Sequence, residues 1–166
     1  MDSLRILLTN NTLRLRSGSE LVLLELATRF KKLGHFPVAY STDLGPIADE
    51  LRKNCVPVLD DLSSPGFVPD VIHGHHHLDT MVAMLRFPDT PAVCLCQGWV
   101  PPEEGVPVFP NVMRYVAVSE LTAERVRALR DFELITVSPP VRAERGIASE
   151  RGALIVTLSD AARALG

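Results

Sequence analysis

The sequence predicts a Rossmann-like α/β domain: a doubly wound parallel sheet with helices on both faces, in three α/β/α layers. Short apolar runs alternate along the chain with amphipathic segments of helical length. The hydrophobic share of 46% is typical of a parallel sheet, because its strands are covered on both faces. A length of 166 residues suffices for one such domain with its own core and falls short of two full ones.

The first repeating unit is predicted as a strand, a helix and a second strand. The strands are the apolar runs 4–10 and 36–41. A helix is expected between them over about 19–33, and Gly34 is its C-terminal stop. The helix follows from apolar side chains spaced i, i+3, i+4 and i+7: Leu23, Leu26, Ala27, Phe30 and Leu33.

The alternation continues to residue 137. Pro46 suits the first turn of a helix, Ser119 is an expected N-cap, and a proline-rich loop fills 97–111. The predicted strands are 56–59, 71–75, 92–96, 113–118 and 134–137, and the predicted helices are 46–54, 78–85 and 120–129.

Residues 1–141 are predicted to form this domain. Residues 142–152 are polar, like a linker. The segments 153–158 and 159–165 then resemble a new strand and helix, which either close the domain or begin a second one. We favour the second interpretation.

The charge balance argues against a nucleic-acid partner. The net charge is −3, and a phosphate backbone would call for a basic patch. The densest basic group lies at the end of the predicted helix 120–129 and alternates with apolar residues, as in a solvated helix face: Arg125, Arg127 and Arg130.

The cysteines and the apolar runs predict a soluble, cytoplasmic protein. An odd number of cysteines without paired spacing indicates reduced thiols: Cys55, Cys94 and Cys96. No signal peptide precedes the first strand, and no apolar run approaches the roughly 20 residues of a transmembrane segment.

Four segments are candidate sites, because ligands of an open parallel sheet bind beyond the carboxyl ends of its strands. They are 10–20, 73–77, 97–99 and 119–120.

The first candidate is Ser17-Gly18-Ser19-Glu20, at the start of a predicted helix. Backbone N–H groups there can hold a phosphate, and Gly18 lets a ligand approach closely. The segment matches neither G-x-G-x-x-G nor G-x-x-x-x-G-K-[ST], so ordinary nucleotide motifs are unsupported. A plain capped helix start is the alternative, with equal weight.

The run His73-Gly74-His75-His76-His77 suggests metal binding, since neutral imidazole is a common zinc ligand. Only two carboxylates lie nearby in sequence, and no H-E-x-x-H cluster is present, so we predict no metal site. His73 and His75 are expected to face a substrate or to be structural. A histidine here can serve as a general base or donate a hydrogen bond to a substrate hydroxyl.

Gln97-Gly98-Trp99 follows the strand at 92–96. Gly98 permits a tight turn or the close approach of a ligand. Trp99 has two interpretations of equal weight, stacking on a substrate ring or anchoring the proline-rich loop.

Four matches, the first made of two segments, resemble in the same order the retaining glycosyltransferases of family 4, which have the GT-B fold. RILLTN at 5–10 and SGSE at 17–20 resemble the family's opening strand and its glycine-rich G-G-x-E-like turn. PDVIHGH at 69–75 is similar to a "PDVIHxH" strand, and RYVAVSE at 114–120 to an "xxVAVSE" strand and helix cap. VSPPV at 137–141 is similar to the "IPNGV" segment that leads out of the N-terminal domain.

This resemblance implies two Rossmann-like domains with the active site in the cleft between them. This chain would be the acceptor-binding half, and the absent half would bind a nucleotide-sugar donor whose diphosphate approaches Gly18 and Ser19. A carbohydrate or lipid would be the acceptor, with no metal and no cofactor required. We assign catalytic roles to His75 and Gln97, and substrate contacts to Ser17, Gly18, Ser19, Glu20, His73, Gly98, Trp99, Ser119 and Glu120.

The chain departs from the family pattern at two points. Several members have a histidine–glycine pair where this chain has Gln97-Gly98, and glutamine hydrogen-bonds but does not titrate. The Glu-x7-Glu signature of the donor domain is absent, since no two glutamates have that spacing.

Two other classes of function stay open. Gln97 favours a free-standing binding module with a degenerate site, and the run 73–77 leaves a metal-dependent hydrolase as a third hypothesis. A missing second domain would also expose an apolar face, and we expect a homodimer to cover it.

Overall fold

The computed structural model describes residues 3–63, 66–97, 107–129 and 134–136. The strands of these ranges are β1 Arg5–Thr9, β2 Phe36–Tyr40, β3 Val58–Leu59, β4 Val71–His75, β5 Ala92–Cys96, β6 Val112–Ala117 and β7 Leu134–Thr136. The helices are α1 Gly18–Lys32, α2 Pro46–Lys53, α3 Leu78–Arg86 and α4 Glu120–Leu129.

The seven strands of the described ranges form one sheet in the order β3-β2-β1-β4-β5-β6-β7, and every pairing is parallel. From β1 the chain adds strands outward to β3, then returns to the other side of β1 with β4. The boundary between β1 and β4 is therefore the topological switch point, where an open sheet has its ligand crevice. The predicted fold class, a Rossmann-like doubly wound sheet, is confirmed.

Helices cover both faces of the sheet because side chains alternate along each strand. On one side, here called the α1 face, Ile6 and Leu8 pack in a core with Phe30 of α1 and Leu51 of α2. On the other side, the α3 face, Leu7 of β1 packs in a core with residues of α3. Strand β4 is buried on both faces, as a central parallel strand should be.

The predicted bounds of β4, β5 and α4 are confirmed to the residue, and most other ends differ by one. Strand β3 is shorter than the predicted 56–59 because Val56 hydrogen-bonds back to α2 instead of to a neighbouring strand. Its N–H donates to the carbonyl of Leu51 at 3.0 Å, after a left-handed turn at Cys55 with φ 55°. Gly34 ends α1 as predicted, with φ 87°.

The predicted linker at 142–152 and the strand and helix over 153–165 lie outside the described residues. The division of the chain at residue 141 therefore stays a prediction.

The loop between β1 and α1 is fastened to the loop that precedes α2. Buried Leu13 accepts a hydrogen bond from the N–H of Ile47 at 3.1 Å and donates to the carbonyl of Asp43 at 2.8 Å. The Arg14 guanidinium also pairs with the Asp43 carboxylate. Gly45 makes this approach possible, because a Cβ there would lie 2.6 Å from the Cα of Arg14.

We expect Gly45→Ala to destabilise the domain by about 2–3 kcal/mol, because the added methyl group meets backbone that cannot rotate away. Chemical unfolding monitored by circular dichroism measures the loss. Gly18→Ala is the matched control, since a Cβ at Gly18 meets nothing within 4 Å and alanine favours the helix. Equal stability of the two variants would contradict the close approach of the two loops.

Candidate functional site at the carboxyl edge of the sheet

Polar residues from four neighbouring strands meet at one edge of the sheet. Asn10 follows β1, His75 ends β4, Gln97 follows β5, and Ser119 lies two residues beyond β6. Because all these strands are parallel, their carboxyl ends share this edge, called the carboxyl edge below. The three segments 10–20, 73–77 and 119–120 reach the edge as predicted, and Gln97 represents the fourth.

His73 and His75 lie side by side on the α1 face of β4, and both are fully buried. The Nδ1 of His73 is 3.0 Å from the Nε2 of His75, and their ring centroids are 4.8 Å apart. The His73 ring also meets the ring of Phe30 edge-on, at 6.3 Å between centroids. The predicted histidine cluster thus contains a hydrogen-bonded pair of tilted rings inside the domain, beneath α1.

Burial determines the charge of this pair. It lowers the pKa of His73 to about 4. It also lowers the pKa of His75 well below its ordinary value, and the neighbouring His73 and His76 lower it further. Both rings are therefore neutral at pH 7, and each carries one N–H and one acceptor nitrogen.

Gln97 contacts the outer member of the pair. Its Nε2 lies 2.8 Å from the Nδ1 of His75, and the side chain is half-buried at the end of β5. Both ring nitrogens of His75 are thus engaged within the protein, one by Gln97 and one by His73. Of these three side chains, Gln97 alone reaches the surface.

Asn10 begins the predicted segment 10–20, but the sequence analysis gave it no role of its own. It is fully buried, and neither atom of its amide has a hydrogen-bond partner in the described structure. Its position follows the pairing of Thr9 with Gly74, which places it at the switch point between β1 and β4. A polar residue directly after the first strand was the available signal.

His76 is a second residue without an assigned role in the sequence analysis. Its φ is 62°, in the left-handed region that non-glycine residues rarely adopt. This conformation turns the chain from β4 into α3. Backbone outliers of this kind concentrate at functional sites.

Asp79, in the first turn of α3, connects the carboxyl edge to the loop after β2. Its Oδ2 accepts a hydrogen bond from the N–H of Thr42 at 2.8 Å, and the Thr42 hydroxyl donates to Oδ1 at 3.0 Å. Burial raises the pKa of Asp79 in spite of these bonds. Asp70 lies at the opposite end of β4 and pairs with Arg5.

The start of α1 differs from a plain capped helix. The hydroxyls of Ser17 and Ser19 both donate to the Oε2 of Glu20, and no side chain caps the helix. Glu20 is buried, whereas Gly18 is exposed. The buried carboxylate thus holds both serines around the exposed glycine.

The start of α4 is confirmed as predicted. The Oγ of Ser119 accepts a hydrogen bond from the N–H of Thr122 at 3.1 Å, the geometry of an N-cap. Glu120 is exposed and lies 3.8 Å from Arg127.

Gly98 and Trp99 lie outside the described residues, so their assigned contacts stay predictions. Within the described ranges no three histidine, cysteine, aspartate or glutamate residues form a group that could hold a metal ion. The three cysteines are free thiols, two of them buried in β5. No helix in the same ranges has the length and apolar character needed to cross a membrane.

These features define a Rossmann-like α/β domain with a polar carboxyl edge at its switch point. No family model matches the chain, and no curated protein matches it. Among solved structures it is similar to a glycosyltransferase from Rickettsia africae ESF-5, with a TM-score of 0.63 and 16% sequence identity. The match covers 97% of this chain and 50% of that one, so the chain spans half the length of this glycosyltransferase.

Proposed function

We propose that this chain is the acceptor-binding domain of a glycosyltransferase that moves a sugar from a nucleotide-sugar donor to a carbohydrate or lipid acceptor. One observation carries the proposal: a half-buried amide, Gln97, is held at the switch-point edge of a domain whose fold is that of half a glycosyltransferase. The four matches that resemble family 4 support the finer assignment, including the GT-B arrangement.

In this proposal the residues of the carboxyl edge have different roles. Gln97 contacts a hydroxyl of the acceptor, and His75, whose ring is buried, acts through Gln97. Ser119 and Glu120 border the acceptor, together with Trp99 and Gly98. A second domain supplies most of the donor contacts.

The start of α1 faces the donor in this proposal. Ser17 and Ser19 are tied to buried Glu20, which leaves Gly18 exposed beside the positive end of the helix dipole. A diphosphate can approach a glycine closely, because glycine has no side chain.

Calorimetric titration of the chain tests the proposal with two sets of probes: D-glucose, D-mannose and myo-inositol as acceptors, and UDP-glucose and GDP-mannose as donors. We expect one acceptor sugar to bind, and Gln97→Ala to weaken it about tenfold through loss of a hydrogen bond. Donors should bind weakly, because their main site is in the other half.

Asn54→Ala is the matched control for this titration. Asn54 follows the last turn of α2, at the opposite edge of the sheet, and its substitution should leave sugar affinity unchanged. Failure of every sugar to bind, or an equal loss in both variants, would contradict an acceptor site at Gln97.

A free-standing binding module with a degenerate site is the second candidate, and the presence of Gln97 favours it. Such a module would bind a ligand without any partner domain. A donor that binds as tightly as an acceptor to the isolated chain would support this alternative.

In this proposal the protein is cytoplasmic and forms a homodimer. Exposed apolar side chains at i, i+4 and i+7 along α3 support an apolar contact surface: Leu78, Val82 and Leu85. Sedimentation analysis of the chain decides its oligomeric state.

A further inference from the structure

Gln97, His75 and His73 form a continuous hydrogen-bonded chain from the carboxyl edge into the core. The Gln97 Nε2 lies 2.8 Å from the His75 Nδ1, and the His75 Nε2 lies 3.0 Å from the His73 Nδ1. Both rings are fully buried, while Gln97 is half-buried. The two inner members therefore cannot exchange these partners for bulk water.

The chemistry of the amide fixes the direction of the chain. An amide nitrogen donates and does not accept, so the His75 Nδ1 is an acceptor without a proton. Because His75 is neutral, its proton lies on Nε2, which donates to the His73 Nδ1. The proton of neutral His73 then lies on its Nε2, a buried nitrogen that has no hydrogen-bond partner among the described residues. One orientation of the Gln97 amide thus corresponds to one tautomer of each histidine.

We propose that His75 and His73 are positioning residues that hold the Gln97 amide in a single orientation. The amide nitrogen is turned inward, and the carbonyl Oε1 is presented at the carboxyl edge as an acceptor for a ligand hydroxyl. The identification of that ligand as a sugar rests on the proposed function. The orientation itself does not.

The fixed orientation makes Gln97 selective for the chemistry of its ligand. To present its NH2 group outward, the amide would have to rotate and both buried tautomers would have to change together. No described residue donates to the Oε1 of Gln97. A ligand group that donates, such as a hydroxyl, fits this position, whereas an ether, a fluorine or a phosphate oxygen only accepts and does not.

Histidine side-chain NMR on the 15N-labelled chain tests the orientation without any ligand. The expected result at pH 7.5 is that His75 and His73 both carry the proton on Nε2. A proton on the His75 Nδ1, or fast exchange between the tautomers of either ring, would overturn the proposal.

Gln97→Glu reverses the polarity of the outer contact, because a carboxylate accepts and does not donate. The expected result is a change of both histidines to the Nδ1–H tautomer. Asn54→Asp makes the same amide-to-carboxylate change at the opposite edge and should leave both tautomers unchanged. Unchanged tautomers in Gln97→Glu would overturn the proposal, and if that variant does not fold, the native tautomers alone decide.

The ligand part is tested with the deoxyfluoro analogues of the sugar that binds the native chain. At the hydroxyl that meets Gln97, fluorine replaces a donor with an acceptor, and we expect about tenfold weaker binding. The same analogue should cause no further loss in Gln97→Met. Equal affinity for every analogue would overturn the acceptor role, whereas failure of all sugars to bind would overturn the proposed function and leave the tautomer result standing.

Discussion

Gly74→Ala is expected to destabilise the domain by about 2–3 kcal/mol, with a fall in melting temperature of roughly 5–10 °C. Gly74 lies in β4 and faces α3, where an added Cβ would be 2.4 Å from the Thr80 Cγ2 and 2.9 Å from its Oγ1. The Thr80 side chain has little freedom to move aside. It is buried, and its hydroxyl lies 2.6 Å from the Thr9 hydroxyl and donates to the His75 carbonyl at 3.3 Å.

A double-mutant cycle separates this clash from a general effect of the substitution. Thr80→Ala removes both atoms that the new Cβ would meet within 3 Å. The pair Gly74→Ala with Thr80→Ala should therefore lie within about 1 kcal/mol of Thr80→Ala alone. Strictly additive losses would show that the close contact between α3 and β4 is not the cause.

Acidification from pH 6.5 to pH 4.5 is expected to remove a few kcal/mol of stability, above the pH at which ordinary carboxylates are half-protonated. Burial lowers the pKa of His73 to about 4 and that of His75 well below its ordinary value, while both titrate near 6.5 in the unfolded chain. Between these values the unfolded state binds more protons. Stability therefore falls with decreasing pH by up to about 1.4 kcal/mol per pH unit for each histidine.

Urea unfolding at half-unit steps of pH measures this slope. His75→Gln removes one of the two groups and should about halve it. His35 adds a loss of the same sign because burial lowers its pKa too, whereas Asp79, whose pKa burial raises, adds a gain of stability on acidification. The arginine partners of Asp43 and Asp70 lower the pKa of both carboxyls, so the stability that these ion pairs contribute is lost only below about pH 3.8. A stability that does not change with pH above pH 4.5 would contradict the buried neutral histidine pair.

Much of the fold was predictable because strand and helix periodicity are local properties of the chain. The apolar runs of β4 and β5 stand between clear turn signals, and their bounds agree with the prediction. The start of β3 was not predictable in this way. Val56 is as apolar as a strand residue, but in the folded chain its N–H donates to the Leu51 carbonyl near the end of α2. Local periodicity does not predict this hydrogen bond.

The location of the candidate site at the carboxyl edge was predictable from the sequence, but the contacts between its side chains were not. The rule for parallel sheets located His75 and Gln97 at one edge, although 22 positions separate them in the sequence. Spacing alone did not show that the two side chains touch, that both histidines are buried, or that Asn10 is buried at the switch point. Those facts depend on the register of β1 against β4 and of β4 against β5.

The most direct test of the acceptor-binding role is amide chemical-shift mapping of the isotopically labelled chain during titration with the sugar that binds in calorimetry. We predict that the perturbed amides cluster at the carboxyl edge, at Asn10, His76, Gln97 and Ser119. Amides at the opposite edge, such as those of Arg5 and Asp70, should not change. Perturbations confined to that opposite edge, or none at saturating sugar, would contradict the proposal that this domain binds the acceptor of a glycosyltransferase.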